Sequence, residues 1–307
     1  MEYKNQHWIP ASYLSAWCDP NTPKGQIPYV WLFSKDGKSS QHKTPKNIFR
    51  ESEMYTIHHS DGSRDLKLEH ALHDLETCFA RIKKDKLSSK LPLSEGDKFL
   101  LYHFVAAMRA RTVAQRNHQR KHWGEVLLMM GSLTEQWLGT SKKASKPLSY
   151  SQDVTKSNRK TLSHEQVWKL ANQPLQQTMA PMVRDQVTHY MSMNMAIICT
   201  EIKPGFITSD APLVWYDPGS SKRSPLYRSP GLICDTIEVT LPISPKKLLL
   251  ISWNDNFEGY IDINEEIEID RLNLRTWYFC DKYFVVNENR KKDFWLGKTS
   301  VSDDNPS

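Results

Sequence analysis

Four side chains of this sequence have the chemistry of a reacting site, and they come from separated stretches: His7, Glu76, Arg111 and Asp210. An imidazole exchanges protons near neutral pH, a carboxylate serves as base or metal ligand, and a guanidinium clamps phosphate. Each also has a plain structural use. His7 lies beside Trp8 and Pro10, where a core imidazole commonly donates to a backbone carbonyl. Glu69, His73 and Glu76 are spaced i, i+4, i+7, so they share one side of a helix next to Leu68, Leu72, Leu75 and Phe79. That polar edge suits a cleft wall, and it is equally where an amphipathic helix keeps its boundary charges. Arg111 follows Leu100, Phe104 and Ala107 at helical spacing, on a face that is otherwise packed. Its charge cannot be shed, so it needs either Glu76 or Asp210 as a partner, or the phosphate or carboxylate of a substrate.

Asp210 stands in Phe206-Ile207-Thr208-Ser209-Asp210-Ala211-Pro212, an apolar strand that ends in three side-chain oxygens before a turn. Ser and Asp before Pro ordinarily bond their own backbone. The alternative is a carboxylate presented at a strand end, able to ligate a metal or take a proton. Ser209 is then a substrate contact, not a nucleophile, since no G-x-S-x-G elbow surrounds it. Arg109, Arg116 and Arg120 fall on the other face of the Arg111 helix and suit a solvated or polyanion-facing surface. His118 and His122 are i, i+4, but position 119 is Gln119, so the zinc-protease pattern is not formed. No P-loop, G-x-G-x-x-G or kinase signature is present, and nucleotide-cofactor chemistry has no support.

The elements that must position these groups are partly visible. Residues 10 to 17 read as a short helix with Pro10 near its first turn. Tyr29 to Phe33 reads as a strand ended by Lys35-Asp36-Gly37, and Met54 to Ile57 as a shorter one. From Asp65 an apolar row (Leu68, Leu72, Leu75, Phe79, Ile82) predicts a helix with one buried stripe. A second helix, apolar nearly all round from Phe99 to Met108, continues into a basic run with a break expected near Gly124. Ser141 to Lys160 has no apolar period and predicts a mobile loop at about 140–162. Helix resumes from His164 toward Met191, interrupted or kinked at Pro174 and Pro181. Strands are expected at Met195–Thr200, Phe206–Thr208, Leu213–Tyr216, Ile237–Leu241, Leu248–Trp253 and Trp277–Val286, with a helix over Asn264–Asn273. The expected fold is therefore α+β: a helical N-terminal two thirds packed with a mostly antiparallel C-terminal sheet. It forms one domain over 1–297, helix-rich at 60–192 and strand-rich at 193–290, with a disordered tail at 298–307.

Composition bounds the rest. The chain has 307 residues, 39% of them hydrophobic and 25% charged, which is globular territory. No stretch of eighteen apolar residues or signal pattern occurs, so neither membrane nor export is expected. Five dispersed cysteines without a C-x-x-C pair read as reduced thiols of a cytoplasmic protein. A net charge of +6 is modest, but Lys98 to Lys121 holds no acidic residue while Asp255 to Asp270 is strongly acidic. That asymmetry fits a polyanion site, or two faces that meet within the fold. The first seventeen residues carry His7, Trp8, Tyr13 and Trp17; a start this apolar must dock into the body.

Gln6-His7-Trp8-Ile9-Pro10, followed by Tyr13-Leu14 and Trp17, resembles the HYVP-x-x-Y-L-x-x-F opening of domain-of-unknown-function family 4238, a mainly bacterial group. Further matches follow in order: Leu68-Glu69 through Leu75-Glu76, Arg111-Thr112, the Phe206 to Pro212 block, and Leu241-Pro242-Ile243-Ser244-Pro245. Trp8 and Trp17 replace the more usual Tyr and Phe. The resemblance implies one fold over roughly residues 5 to 290 and favours Glu76 within the polar row, but it brings no activity.

The functional expectation is a hydrolase, a metal-assisted nuclease or phosphodiesterase. His7, Glu76, Arg111 and Asp210 would be catalytic, with Glu76 and Asp210 holding Mg or Mn. Arg109, Arg116, Arg120 and Ser209 would contact substrate. The alternative is a non-catalytic module that binds nucleic acid or protein, with the four residues as a buried structural network. The sequence leaves substrate and oligomeric state open.

Overall fold

The computed structural model describes residues 4–59, 61–141, 162–224 and 229–298. The chain opens with strand β1 (Asn5–His7), then helix α1 (Ala11–Leu14), which tightens into a 3-10 turn over Ser15–Trp17. Strands β2 (Val30–Ser34), β3 (Ser40–Lys43), β4 (Arg50–Ser52), β5 (Ile57–His58) and β6 (Arg64–Asp65) follow. Helices α2 (Lys67–Ile82), α3 (Glu95–Ala110), α4 (Val113–Ser141), α5 (His164–Asn172) and α6 (Pro174–Tyr190) make the middle of the chain. Strands β7 (Asn194–Cys199), β8 (Thr208–Ser209), β9 (Val214–Tyr216), β10 (Glu238–Ser244), β11 (Lys247–Ser252) and β12 (Gly259–Asp262) lead to helix α7 (Glu266–Phe279) and the last strand, β13 (Tyr283–Val286).

The class is α+β, with seven α-helices among the described residues and 44% helix, but the expected segregation of a helical N-terminal two thirds from a C-terminal sheet is overturned. Helices are spread along the chain and strands lie at both ends. The reason is long-range pairing. The β2–β3 hairpin leaves an open edge, which β13 covers with Val286 opposite Trp31 and Phe284 opposite Phe33. β8 pairs with the far side of β13, so one four-stranded sheet, ordered β3-β2-β13-β8, is built from both ends of the sequence. A second sheet of order β12-β7-β11-β10-β9 is antiparallel except for β12, which runs parallel to β7. The strand expected over Trp277–Val286 begins as helix: α7 runs on to Phe279, and only the last four residues form a strand.

Burial explains the rest. Ile9, Tyr13, Leu14 and Trp17 are all 0% exposed, so the aromatic N-terminus is core. Phe79 of α2 stacks on Phe104 of α3 with ring centroids 3.9 Å apart, joining the two apolar stripes. Ser94 starts α3 with a reciprocal cap, its Oγ accepting the Asp97 N–H while Asp97 accepts the Ser94 N–H. The helix break expected near Gly124 occurs instead at Arg111–Thr112. There the Thr112 hydroxyl accepts the Gln115 N–H at 3.1 Å and caps α4, which continues through Gly124. Pro174 likewise splits α5 from α6 by occupying the first position of α6. The loop expected at 140–162 and the tail at 298–307 lie almost entirely outside the described residues. No helix among the described residues is long and apolar enough to cross a membrane.

Candidate functional site

The polar network starts in β1. Gln6 is fully buried; its amide donates to the Thr56 hydroxyl at 3.0 Å and accepts the Tyr55 N–H at 2.6 Å. The next residue, His7, offers its main-chain carbonyl to Arg111, whose Nη2 donates at 2.6 Å. Arg111 Nη1 donates to Glu76 Oε1 at 2.8 Å, and its Nε reaches the Tyr55 hydroxyl at 3.4 Å. Arg111 is 3% exposed. Burial alone would lower its pKa, but the Tyr55 oxygen and Glu76 carboxylate outweigh that and raise it, so the cation is firmly held. Burial pushes the Tyr55 hydroxyl up to about 12, which keeps it neutral.

The His7 ring takes no part in this contact. Its Nε2 donates to the Lys46 carbonyl at 3.2 Å, and burial lowers its pKa from 6.5. The fold thus favours neutral His7, so its contribution to stability is present above pH 6.5 and lost as pH falls through the depressed value. In denaturant titrations, the wild type should lose more stability than His7→Gln between about pH 7.5 and about pH 5.5. Equal losses would show that His7 does not titrate on unfolding.

Asp210 is joined to the same strand through Trp8, whose indole N–H donates to the Asp210 carbonyl at 3.2 Å. Its carboxylate faces elsewhere: it accepts the backbone N–H groups of Asp281, Lys282 and Tyr283 at 2.8, 2.7 and 3.0 Å. Burial pushes this carboxyl up to about 6, and the three N–H donors pull against that shift. Asp210 therefore locks the exit of β8 to the entry of β13. Two more N-terminal anchors complete the tie. Trp17 donates to the Phe206 carbonyl at 2.8 Å, and the Tyr13 hydroxyl donates to the Pro242 carbonyl while sitting 2.8 Å from Thr208 Oγ1. With its one proton spent on Pro242, Tyr13 must accept from Thr208.

The structure thus brings Glu76, Arg111 and the His7 backbone into one network, with Asp210 attached at its margin through Trp8. Ser209 is fully buried, and its hydroxyl accepts the Ala211 N–H at 3.2 Å, which forms the turn. For a divalent metal, the expected ligands Glu76 and Asp210 are committed to Arg111 and to three amides. Among the described residues, no group of three or more His, Cys, Asp or Glu is placed to hold an ion. Gln6 and Tyr55 escaped the sequence reading, although Gln6 belongs to the opening motif and Tyr55 to an expected strand.

Beside the network lies a cleft of about 590 Å³. Trp8 and Phe49 line it, together with Val113, Ala114, Arg116 and Asn117 from the start of α4. Lys43 of β3, Lys282 and Asp210 also line it. The first amides of any helix lack intrahelical acceptors and carry partial positive charge. Arg116 adds a guanidinium, which Glu51 engages at 2.7 Å. Among the described residues, neither Lys43 nor Lys282 pairs with a carboxylate. Arg120 is exposed on the next turn of α4. Arg109 lies away from this cleft, its guanidinium carbon 3.7 Å from the centre of the Trp215 ring.

Neither a curated protein nor a solved structure matches the chain. The model of one family, described as Protein of unknown function (DUF4238), matches residues 5–291. Within that range, Gln6, Trp8, Glu76, Arg111, Phe206 and Asp210 tie the N-terminus to the helices and the β8 segment. The chain therefore belongs to the DUF4238 family.

Proposed function

We propose that the protein binds a phosphate-bearing polyanion, nucleic acid first among them, in the cleft over the first turns of α4. The Glu76–Arg111–His7 network and the Asp210 lock serve as the frame that shapes it. The observation that carries this reading is the convergence of a 29-residue helix's N-terminus, Arg116, Lys43 and Lys282 on one opening. Of the three carboxylates that line it, Asp210 is engaged by backbone amides and Glu51 by Arg116, and Asp281 is the third. Arg120 extends the positive track along the helix.

Anisotropy titrations of labelled single- and double-stranded DNA and RNA test this directly. Lys43→Glu with Lys282→Glu should weaken binding at least tenfold and flatten the salt dependence by about one unit of slope per lost phosphate contact. Salt-independent binding, or unchanged binding by the double variant, would reject the cleft as the site.

One observation favours a second, hydrolytic reading. Glu69 Oε2 is buried without a hydrogen-bond partner among the described residues, and burial raises the pKa of that carboxyl beside Arg111 and Glu76. A raised carboxyl pKa moves the group toward the protonated form that a general acid needs. Assaying the same nucleic acids and free nucleotides for turnover with Mg²⁺ or Mn²⁺ separates the readings. Hydrolysis lost in Glu69→Gln favours an enzyme, and binding without turnover favours the module. The five free thiols are in keeping with a reducing cytoplasmic setting.

A further inference from the structure

On the other side of the first turn of α4 is a second, smaller cleft of about 240 Å³, with Ala114 on the ridge between the two. Arg109 is one of the residues that line it. Other buried or half-buried arginines among the described residues meet a carboxylate: Arg64 meets Glu53, Arg111 Glu76, Arg116 Glu51, Arg223 Asp217 and Arg275 Glu238. Arg109 has none within 4.0 Å among the described residues; the Trp215 ring covers one face of its guanidinium. That ring is pinned by its own N–H bond to the Tyr190 hydroxyl at 3.2 Å. Burial lowers the Arg109 pKa, the signature of a desolvated cation without a counter-ion. Stacking on an indole offsets part of that desolvation but leaves the in-plane N–H fork unused.

The cleft supplies what a small acid would need. Arg109, Gln115 and His118 give polar contacts, and Ala211, Leu213 and Phe279 give apolar wall. We propose that this cleft binds the carboxylate of a small, apolar-bodied organic acid, with Arg109 as its bidentate partner. One unpaired cation matches one negative charge, whereas a phosphate monoester carries nearly two and needs more donors. The volume admits a body about the size of a benzene ring. The proposal stands apart from the polyanion cleft, because it uses neither Lys43 nor Lys282.

Calorimetric and thermal-shift titrations of the full chain with benzoate, neutral benzamide and inorganic phosphate test it. Benzoate should bind with a Kd of about 1 mM or tighter and raise the melting temperature, while benzamide and phosphate bind at least tenfold more weakly. Arg109→Met should remove the benzoate response. Should that variant fold poorly, Ala211→Leu fills the cleft without touching the charge and should also abolish binding. Equal affinity for benzamide, preference for phosphate, no binding by the wild type, or unaltered binding by folded Ala211→Leu would overturn the proposal.

Discussion

Replacing Arg111 by methionine should lower the free energy of unfolding by about 3–5 kcal/mol, the range for breaking a buried ion pair from one side. The loss has three parts. Glu76 is left as a half-buried carboxylate without its 2.8 Å partner, the His7 carbonyl loses its 2.6 Å donor, and the Tyr55 hydroxyl loses a neighbour. Methionine fills much of the volume but supplies no donor. Arg111→Lys should recover little, because one ammonium cannot span the Glu76 carboxylate, the His7 carbonyl and the Tyr55 oxygen together. Against a total stability of about 5–15 kcal/mol for an ordinary protein, this deficit would show as a large shift of the denaturant midpoint. A midpoint within error of wild type would mean that the N-terminal strand is held by something else.

Asp210→Asn is expected to destabilise by about 2–4 kcal/mol, more than the near-isosteric change suggests. The carboxylate has two acceptor oxygens facing three N–H donors, one from Asp281 on Oδ1 and two from Lys282 and Tyr283 on Oδ2. An asparagine must turn its NH₂ toward one set of those donors, leaving buried N–H groups opposed by another donor. The damage should be local as well as global. Amide exchange at Lys282 and Tyr283 should accelerate before that of β10 and β11. Unchanged exchange at those two amides would show that the lock does not hold the β8–β13 pairing.

Local pattern was legible in the sequence, and long-range pairing was not. The Leu68–Leu72–Leu75–Phe79 spacing located α2, and the density of aromatics from Trp8 to Trp17 showed that the N-terminus docks, because both follow from burial of nearby residues. Tyr29–Phe33 reads as a strand from its own residues, but nothing in it shows that its partner lies some 250 residues later in β13. The helix break at Arg111–Thr112 is hard to see in sequence because the cap is a single threonine hydroxyl, a weaker mark than the glycine at position 124.

The site divided in the same way. Glu76 was among the partners that spacing and charge allowed for Arg111, and the structure pairs them. His7 drew attention for its ring, whereas its carbonyl is what Arg111 binds, and a backbone group has no sequence signature. Lys43 and Lys282 lie on remote strands and loops, and only the closure of β3-β2-β13-β8 brings them to the same opening.

A double-mutant cycle on Glu76 and Arg111, read by equilibrium unfolding of Glu76→Gln, Arg111→Met and the pair, tests the frame most directly. A structural tie predicts a coupling energy of about 2 kcal/mol or more, with the second substitution costing far less once the first is made. Additive effects within about 0.5 kcal/mol, with each single variant as stable as wild type, would contradict it.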